Sequence, residues 1–138
     1  MLLVSAIAIA QIETVSFEEP EVFDGDYTDT GNPNESHDLL NNPNQPLLDF
    51  TSNGGELGFN ARYEPYNTPG EGLTDGDEVG VTDNGPSETF PFPHGNQGYQ
   101  ISDVDGNFIL EFDPIIATLT AAFIFVDYFI AETGFEGD

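Results

Sequence analysis

Carboxylates are the reactive groups this sequence has in quantity, and they fall in turn-like clusters. Asp24-Gly25-Asp26 with Asp29, Asp75-Gly76-Asp77-Glu78, Asp83-Asn84 and Asp103-Val104-Asp105 each gather oxygen donors within a few residues. Hard cations such as Ca2+ take six to eight oxygens from side chains and from carbonyls exposed in turns. Calcium is therefore the cofactor this composition would accept, with Asp24, Asp26, Asp75 and Asp77 as candidate ligands. None of the clusters has the spacing of a twelve-residue EF-hand loop, because the Gly and the closing Glu are out of position. Asp-Gly pairs also form ordinary turns, so each cluster reads either as a ligand set or as a turn.

Other chemistries lack their residue types. The chain has no Cys, no Gly-x-Ser-x-Gly elbow, no phosphate loop and no dinucleotide fingerprint. Its two histidines, His37 and His94, sit in polar stretches and read as solvent-exposed; they are too few for a multi-histidine zinc site. A glycosidase needs only two carboxylates, and 26 acidic residues make any chosen pair uninformative. The sequence points to a non-catalytic role.

Aromatic rings beside planar polar groups form the second candidate chemistry. Tyr63-Glu64-Pro65-Tyr66-Asn67 and Phe90-Pro91-Phe92-Pro93-His94-Gly95-Asn96-Gln97-Gly98-Tyr99 combine rings that can stack on the apolar face of a sugar with amides that can bind its hydroxyls. Tyr63, Tyr66, Phe90, Phe92, His94 and Asn96 are the candidate ligand-binding residues, for a polysaccharide or glycan. The competing reading is that these rings plug the ends of the fold. Asn34-Glu35-Ser36 is a formal glycosylation sequon, which matters only in a eukaryotic secretory route.

The charge balance narrows the partners. Twenty-six Asp and Glu face one basic residue, Arg62, for a formal net charge of -25. One arginine cannot neutralise a phosphate backbone, so nucleic acid is not an expected partner. Anionic lipid is disfavoured for the same reason. Such a surface attracts divalent cations, and its self-repulsion opposes compaction, so salt screening or bound ions should support the fold. The charge could equally serve solubility in salt alone. Seventeen aromatic residues among 138 give the chain too much apolar surface for a disordered acidic tail, and the length suits a single domain. Without cysteine there are no disulfide staples, so the core, metal ions or both must stabilise it.

Fifteen Gly and ten Pro interrupt nearly every stretch before residue 98, which predicts short strands and no helices. Strands are predicted at 14–18, 47–51, 57–63, 78–82, 98–102 and 108–112. In 57–63, Leu57, Phe59, Ala61 and Tyr63 share one face, the period-2 pattern of a half-buried strand. Asp105-Gly106 predicts a type I′ hairpin over 99–112. The run 115–131, "IIATLTAAFIFVDYFIA", is apolar on both alternations and carries Asp127. It reads as a central strand covered on both sides, since it is short for a membrane helix and rich in β-branched and aromatic residues. The expected fold is an all-β, antiparallel β-sandwich.

Residues 1–10, "MLLVSAIAIA", fit a signal-peptide h-region with Ala8 and Ala10 at the A-x-A positions and cleavage before Gln11. The run resembles export signals common in Bacteroidota, which implies a secreted, extracellular or cell-surface protein. No basic residue precedes it, so either the start lies further upstream or the ten residues are a first strand. A stop seven residues after a buried-type strand likewise points to a truncated frame, with residues 11–138 one incomplete domain.

The stretches "VSFEEPEVFDGDYTD", "ELGFNARYEPYN", "GLTDGDEVGVT" and "YFIAETGFEGD" resemble secreted bacterial jelly-roll modules of the galactose-binding-like and carbohydrate-binding-module type. The resemblance implies a jelly-roll sandwich, glycan binding, and a structural calcium held by Glu18 with Asp26 as a partner. A structural or adhesive cell-surface component, as part of a larger multidomain protein or by self-assembly, is the alternative.

Overall fold

A computed structural model describes residues 13–19, 26–52, 54–66, 73, 77–84, 92–102, 104–116 and 122–130. Among these the chain is all-β and antiparallel, with no helix. Five strands form two small sheets: β1 (His37–Asp38), β2 (Phe59–Pro65) and β5 (Gly106–Phe112) in the order β1-β2-β5, and β3 (Glu78–Thr82) with β4 (Gly98–Ser102). The core lies where the predicted alternation of β2 put it. Phe59, Ala61 and Tyr63 are buried, while Asn60 on the opposite face is exposed and Arg62 half-buried. Tyr27, Leu39, Leu48, Leu73 and Val79 pack with Ala61 and Tyr63, and Val104 and Phe108 close over them.

The two sheets are tied by a segment that is not itself a strand. Leu47 bridges to Val81 of β3, and Phe50 bridges to Phe59 of β2. The Val81 N–H donates to the Leu47 carbonyl (2.9 Å), and Phe50 and Phe59 exchange backbone bonds of 2.8 and 2.9 Å. Residues 47–50 thus leave one sheet and join the other within four positions, too quickly for a regular strand. The Asn41 side chain supplies the missing partners: its Oδ1 accepts from Leu48 N–H (2.6 Å) and Asp49 N–H (3.1 Å), and its Nδ2 donates to the Asp49 carbonyl (2.8 Å). Gly80 makes the crossing possible. It has a φ of 110°, and a Cβ there would lie 2.9 Å from the Leu47 carbonyl.

Aromatic rings fill the seam. Phe59 contacts Phe17, Phe50, Tyr99 and Phe112 at centroid separations of 5.3, 5.8, 5.7 and 6.5 Å. Phe17 reaches it from the 14–18 segment, which is not a strand as predicted. Phe17 adopts a left-handed φ of 59°, unusual for a bulky side chain, and Glu56 rather than a strand partner captures the backbone of Ser16.

The predicted 99–112 hairpin does not form: β4 pairs with β3 and β5 with β2. Neither Asp105 nor Gly106 has the positive φ a type I′ turn needs. The Asp105 carbonyl instead accepts from the Tyr63 hydroxyl (3.0 Å) and Tyr66 N–H (3.3 Å), turning this dipeptide into the clasp of β5 on β2. Gly106 is required by the close approach of the Tyr63 ring.

The run 115–131 is the second departure. Residues 122–130 are not a strand and are exposed, with Phe123 84%, Ile124 88% and Phe125 92% accessible. High β-propensity does not by itself make a strand: neither sheet pairs with these residues, and the core closes without them.

Gly106→Ala is expected to cost about 1–3 kcal/mol, because the new Cβ meets the Tyr63 ring and comes within 2.6 Å of the Glu64 carbonyl. Urea denaturation checks this. A neutral result would show that Gly106 serves a turn rather than the contact with Tyr63.

Candidate functional site

The 92–97 loop ahead of β4 holds the described candidates that lie closest together. It is pinned by the N-terminal segment through four hydrogen bonds. Glu18 Oε1 accepts from the Asn96 and Gln97 N–H groups at 2.5 and 3.0 Å. The Gln97 side chain then pairs with Glu19 as a strand neighbour would: its Oε1 accepts from the Glu19 N–H (2.6 Å), and its Nε2 donates to the Glu19 carbonyl (3.0 Å). Gly95, with a φ of 71°, lets the carboxylate sit against the loop, since a Cβ would collide with Glu18 Oε1. The two backbone donors of Asn96 and Gln97 hold the Glu18 carboxyl below the usual glutamate pKa. Glu18 is thus the anchor of the loop.

His94 projects from this loop, 84% exposed, with Nδ1 2.7 Å from Asp127 Oδ2. Asn96 is also exposed. Phe92 is half-buried and its ring lies over Gly98. Tyr66 is 55% exposed at the end of β2. Tyr63 must be corrected: it is wholly buried, so its ring offers no face to a glycan. Phe90 lies outside the described residues.

Of the candidate metal ligands, Asp24 and Asp75 lie outside the described residues. Asp26 is exposed. Asp77 is fully buried, and its carbonyl accepts from the Tyr27 N–H (2.9 Å), which brings the residues after Asp26 alongside it. Glu18 is engaged with the 92–97 loop instead. Among the described residues no three His, Asp or Glu side chains converge as a cation site.

One polar cluster was not anticipated. His37 is not a free surface histidine. Its Nδ1 lies 2.7 Å from the Glu35 carbonyl, and its Nε2 lies 3.0 and 2.9 Å from the two oxygens of Asp29, whose side chain is 2% exposed. Gly31 completes the pocket: its N–H donates to Asp29 Oδ1 (2.8 Å), and a Cβ there would strike the imidazole. The Tyr63 ring, opposite His37 in the β1–β2 register, packs edge-on at 6.2 Å. Asp29-Thr30-Gly31 is visible in the sequence as an Asx turn, but the cross-strand partner of His37 is not.

Both ring nitrogens of His37 face acceptors, and only the imidazolium can donate to both. No ring nitrogen is left to abstract a proton, so the pair is structural. Burial pushes the imidazole pKa down. The Glu35 carbonyl and the Asp29 carboxylate outweigh it and hold the pKa above the usual histidine value, with Arg62 opposing slightly.

With this geometry in hand, comparison with protein-family models, curated proteins and solved structures finds no match.

The His37 shift has a definite sign. The folded pKa exceeds the unfolded value of about 6.5, so the stabilisation is complete below that value and is lost as pH rises through the folded pKa. Between about pH 6 and about pH 8, the melting temperature of the wild-type chain is expected to fall by a few degrees more than that of His37→Gln. Parallel curves would show that His37 is not charged in the fold.

Proposed function

We propose that this chain is a secreted, acidic, non-catalytic β-sandwich module that acts as a structural or adhesive component of an extracellular or cell-surface assembly. One observation carries this reading: the apolar segment 122–130, in which Phe123, Ile124, Phe125, Val126, Tyr128 and Ile130 are all more than 70% exposed. Contiguous apolar surface beyond about 300–600 Å² is rare on a monomer and marks a contact surface. Ile115 and Ile116, which follow β5, are exposed as well. In this reading the segment becomes a strand only when bound, adding to a jelly-roll-like sandwich whose described sheets have three and two strands.

The exposed rings dictate the test. Ile124→Asp with Phe125→Asp is expected to remove most of the apolar-dye fluorescence of the folded chain while shifting the melting temperature by no more than a degree or two, because surface changes cost little. A large drop in melting temperature, or slow amide exchange across 122–130 in dilute monomer, would mean that the segment is already buried in its own fold and would end this reading.

A second reading, a calcium-supported carbohydrate-binding module, is favoured by the pinned 92–97 loop, which presents His94 and Asn96 to solvent at no further ordering cost. It expects polysaccharide retention that Tyr66→Ala weakens, and a melting temperature raised by millimolar calcium above the effect of monovalent salt at equal ionic strength. A chelator-insensitive melt combined with no retention on any polysaccharide would remove it.

A further inference from the structure

The open edge and the uncovered segment occur in the same molecule, and their chemistry matches. We infer that segment 122–130 of one copy of this chain adds as a strand to the outer edge of β5 in a second copy. The inference rests on the assembly reading above and names the partner.

The acceptor is defined by the fold. β5 pairs only with β2, so its other edge has no described partner. Phe59 exchanges its backbone bonds with Phe50, which makes its pairing with Phe112 the non-hydrogen-bonded kind; Asp113 N–H in turn donates to the Gly58 carbonyl (2.9 Å). By alternation the backbone groups of Phe108, Leu110 and Phe112 point away from β2, towards the open edge. These are the groups an added strand would use. The edge is also apolar: Ile109 is 38% and Phe112 43% exposed. A seven-residue open edge whose one charged residue is Glu111 is what proteins ordinarily protect.

The donor meets the requirements of a strand. Residues 122–130, "AFIFVDYFI", contain no Gly or Pro and one charge, with high β-propensity throughout. The alternation of the segment divides it into two faces. Ile124, Val126, Tyr128 and Ile130 form a face without a carboxylate, suited to continue the inner side of β5 beside Phe108 and Leu110. Asp127 lies on the other face, where it can remain in water.

Area favours a macromolecular occupant of this size. An aromatic side chain buries roughly 150–250 Å², so Tyr128 on the inner side and Phe123 and Phe125 beside Ile109 on the outer side together offer on the order of 450–750 Å². With Ile124, Val126 and Ile130 the segment approaches the ~800 Å² per partner of a stable interface.

Charge sets the condition. Two chains of net charge -25 repel one another, and the repulsion is screened within about 10 Å at 0.1 M salt and about 3 Å at 1 M. The contact itself adds only Glu111 and Asp127, both acidic, so association should strengthen as salt rises.

Light scattering coupled to size exclusion, with sodium chloride raised from about 0.05 M to about 1 M, is expected to show conversion from the 15.0 kDa chain to multiples of it. Ile124→Asp with Phe125→Asp should keep the chain monomeric at every salt concentration. A mass of one chain for the wild type at high salt and high concentration would overturn the inference while leaving a different partner open to the assembly reading.

The absence of cysteine allows a geometric check that does not depend on those variants. Ile109→Cys in one preparation and Phe123→Cys or Phe125→Cys in another should give a mixed disulfide-linked dimer on oxidation. If a chain carrying both cysteines closes on itself as a monomer at high dilution, the segment covers its own β5 edge and strand exchange between copies is ruled out.

Discussion

A chain with 26 carboxylates and one arginine has almost no cations with which to pair them, and the fold is organised around that shortage. The carboxylates take backbone N–H and neutral side-chain donors instead. Glu18 binds the backbone of Asn96 and Gln97, Glu56 binds the backbone and hydroxyl of Ser16, and Asp113 binds Gly58 N–H. Each joins positions 40 or more apart in sequence. Hydrogen bonds to a charged acceptor are worth more than neutral ones, about 1.5–3 kcal/mol where solvent is excluded, although the exposed ones such as Glu18 fall well short of that. Their role is positional. They fasten the N-terminal segment and the 92–97 loop, which the sheet ladders do not reach. Among the described residues Arg62 makes surface pairs, with Asp38 at 3.0 Å and Glu64 at 3.5 Å, and such pairs contribute little.

The same shortage explains how the apolar interior is arranged. Two sheets of three and two strands cannot bury much surface by themselves, and no disulfide holds them together. Phe59 does it with rings. It lies on β2, yet its ring meets Phe17 from the N-terminal segment, Phe50 from the crossing, Tyr99 from the other sheet and Phe112 from β5. The Tyr99 hydroxyl donates to the Leu48 carbonyl (3.1 Å), and burial pushes its pKa strongly upward. Tyr27 is similarly pushed up to about 12 by burial and the nearby Asp29. Large rings carrying one polar handle suit a core whose walls are loops with carbonyls to satisfy.

These features also decide what could be read from the residues alone. Alternation is a local property, and it located β3 and β4 at 78–82 and 98–102 and β2 to within two residues. Burial of Phe59, Ala61 and Tyr63 followed from the same pattern. Pairing is not local. Asp105-Gly106 has hairpin chemistry, but β3 outcompeted β5 as the neighbour of β4, and the dipeptide was used to clasp β2. Residues 14–18 and 47–51 have strand composition, yet side chains interrupt their backbone pairing: Glu56 takes the Ser16 N–H, and Asn41 takes those of Leu48 and Asp49. Of the candidate site, the exposure of His94 was legible from its polar, turn-rich surroundings, whereas nothing local decided whether Tyr66 would face solvent or plug the end of the fold. The burial of Tyr63 belonged to the strand pattern and overrode its aromatic setting. The link between Glu18 and Asn96 spans 78 residues and leaves no mark in either segment.

Acidity and the apolar run then become parts of one arrangement. A segment such as 122–130 in a neutral protein would associate with any exposed edge during folding. A charge of -25 on every copy raises the cost of such encounters through repulsion over the whole surface. The contact is therefore conditional: ionic strength decides whether the repulsion or the burial of Phe123, Phe125 and Tyr128 prevails. Asp127 lies within the run and pairs with His94 at 2.7 Å, on the loop that Glu18 pins; both side chains are largely exposed, so the pair holds the run only weakly. Phe123, Ile124, Phe125, Val126, Tyr128 and Ile130 stay exposed, so a partner can engage them without first displacing a packed strand.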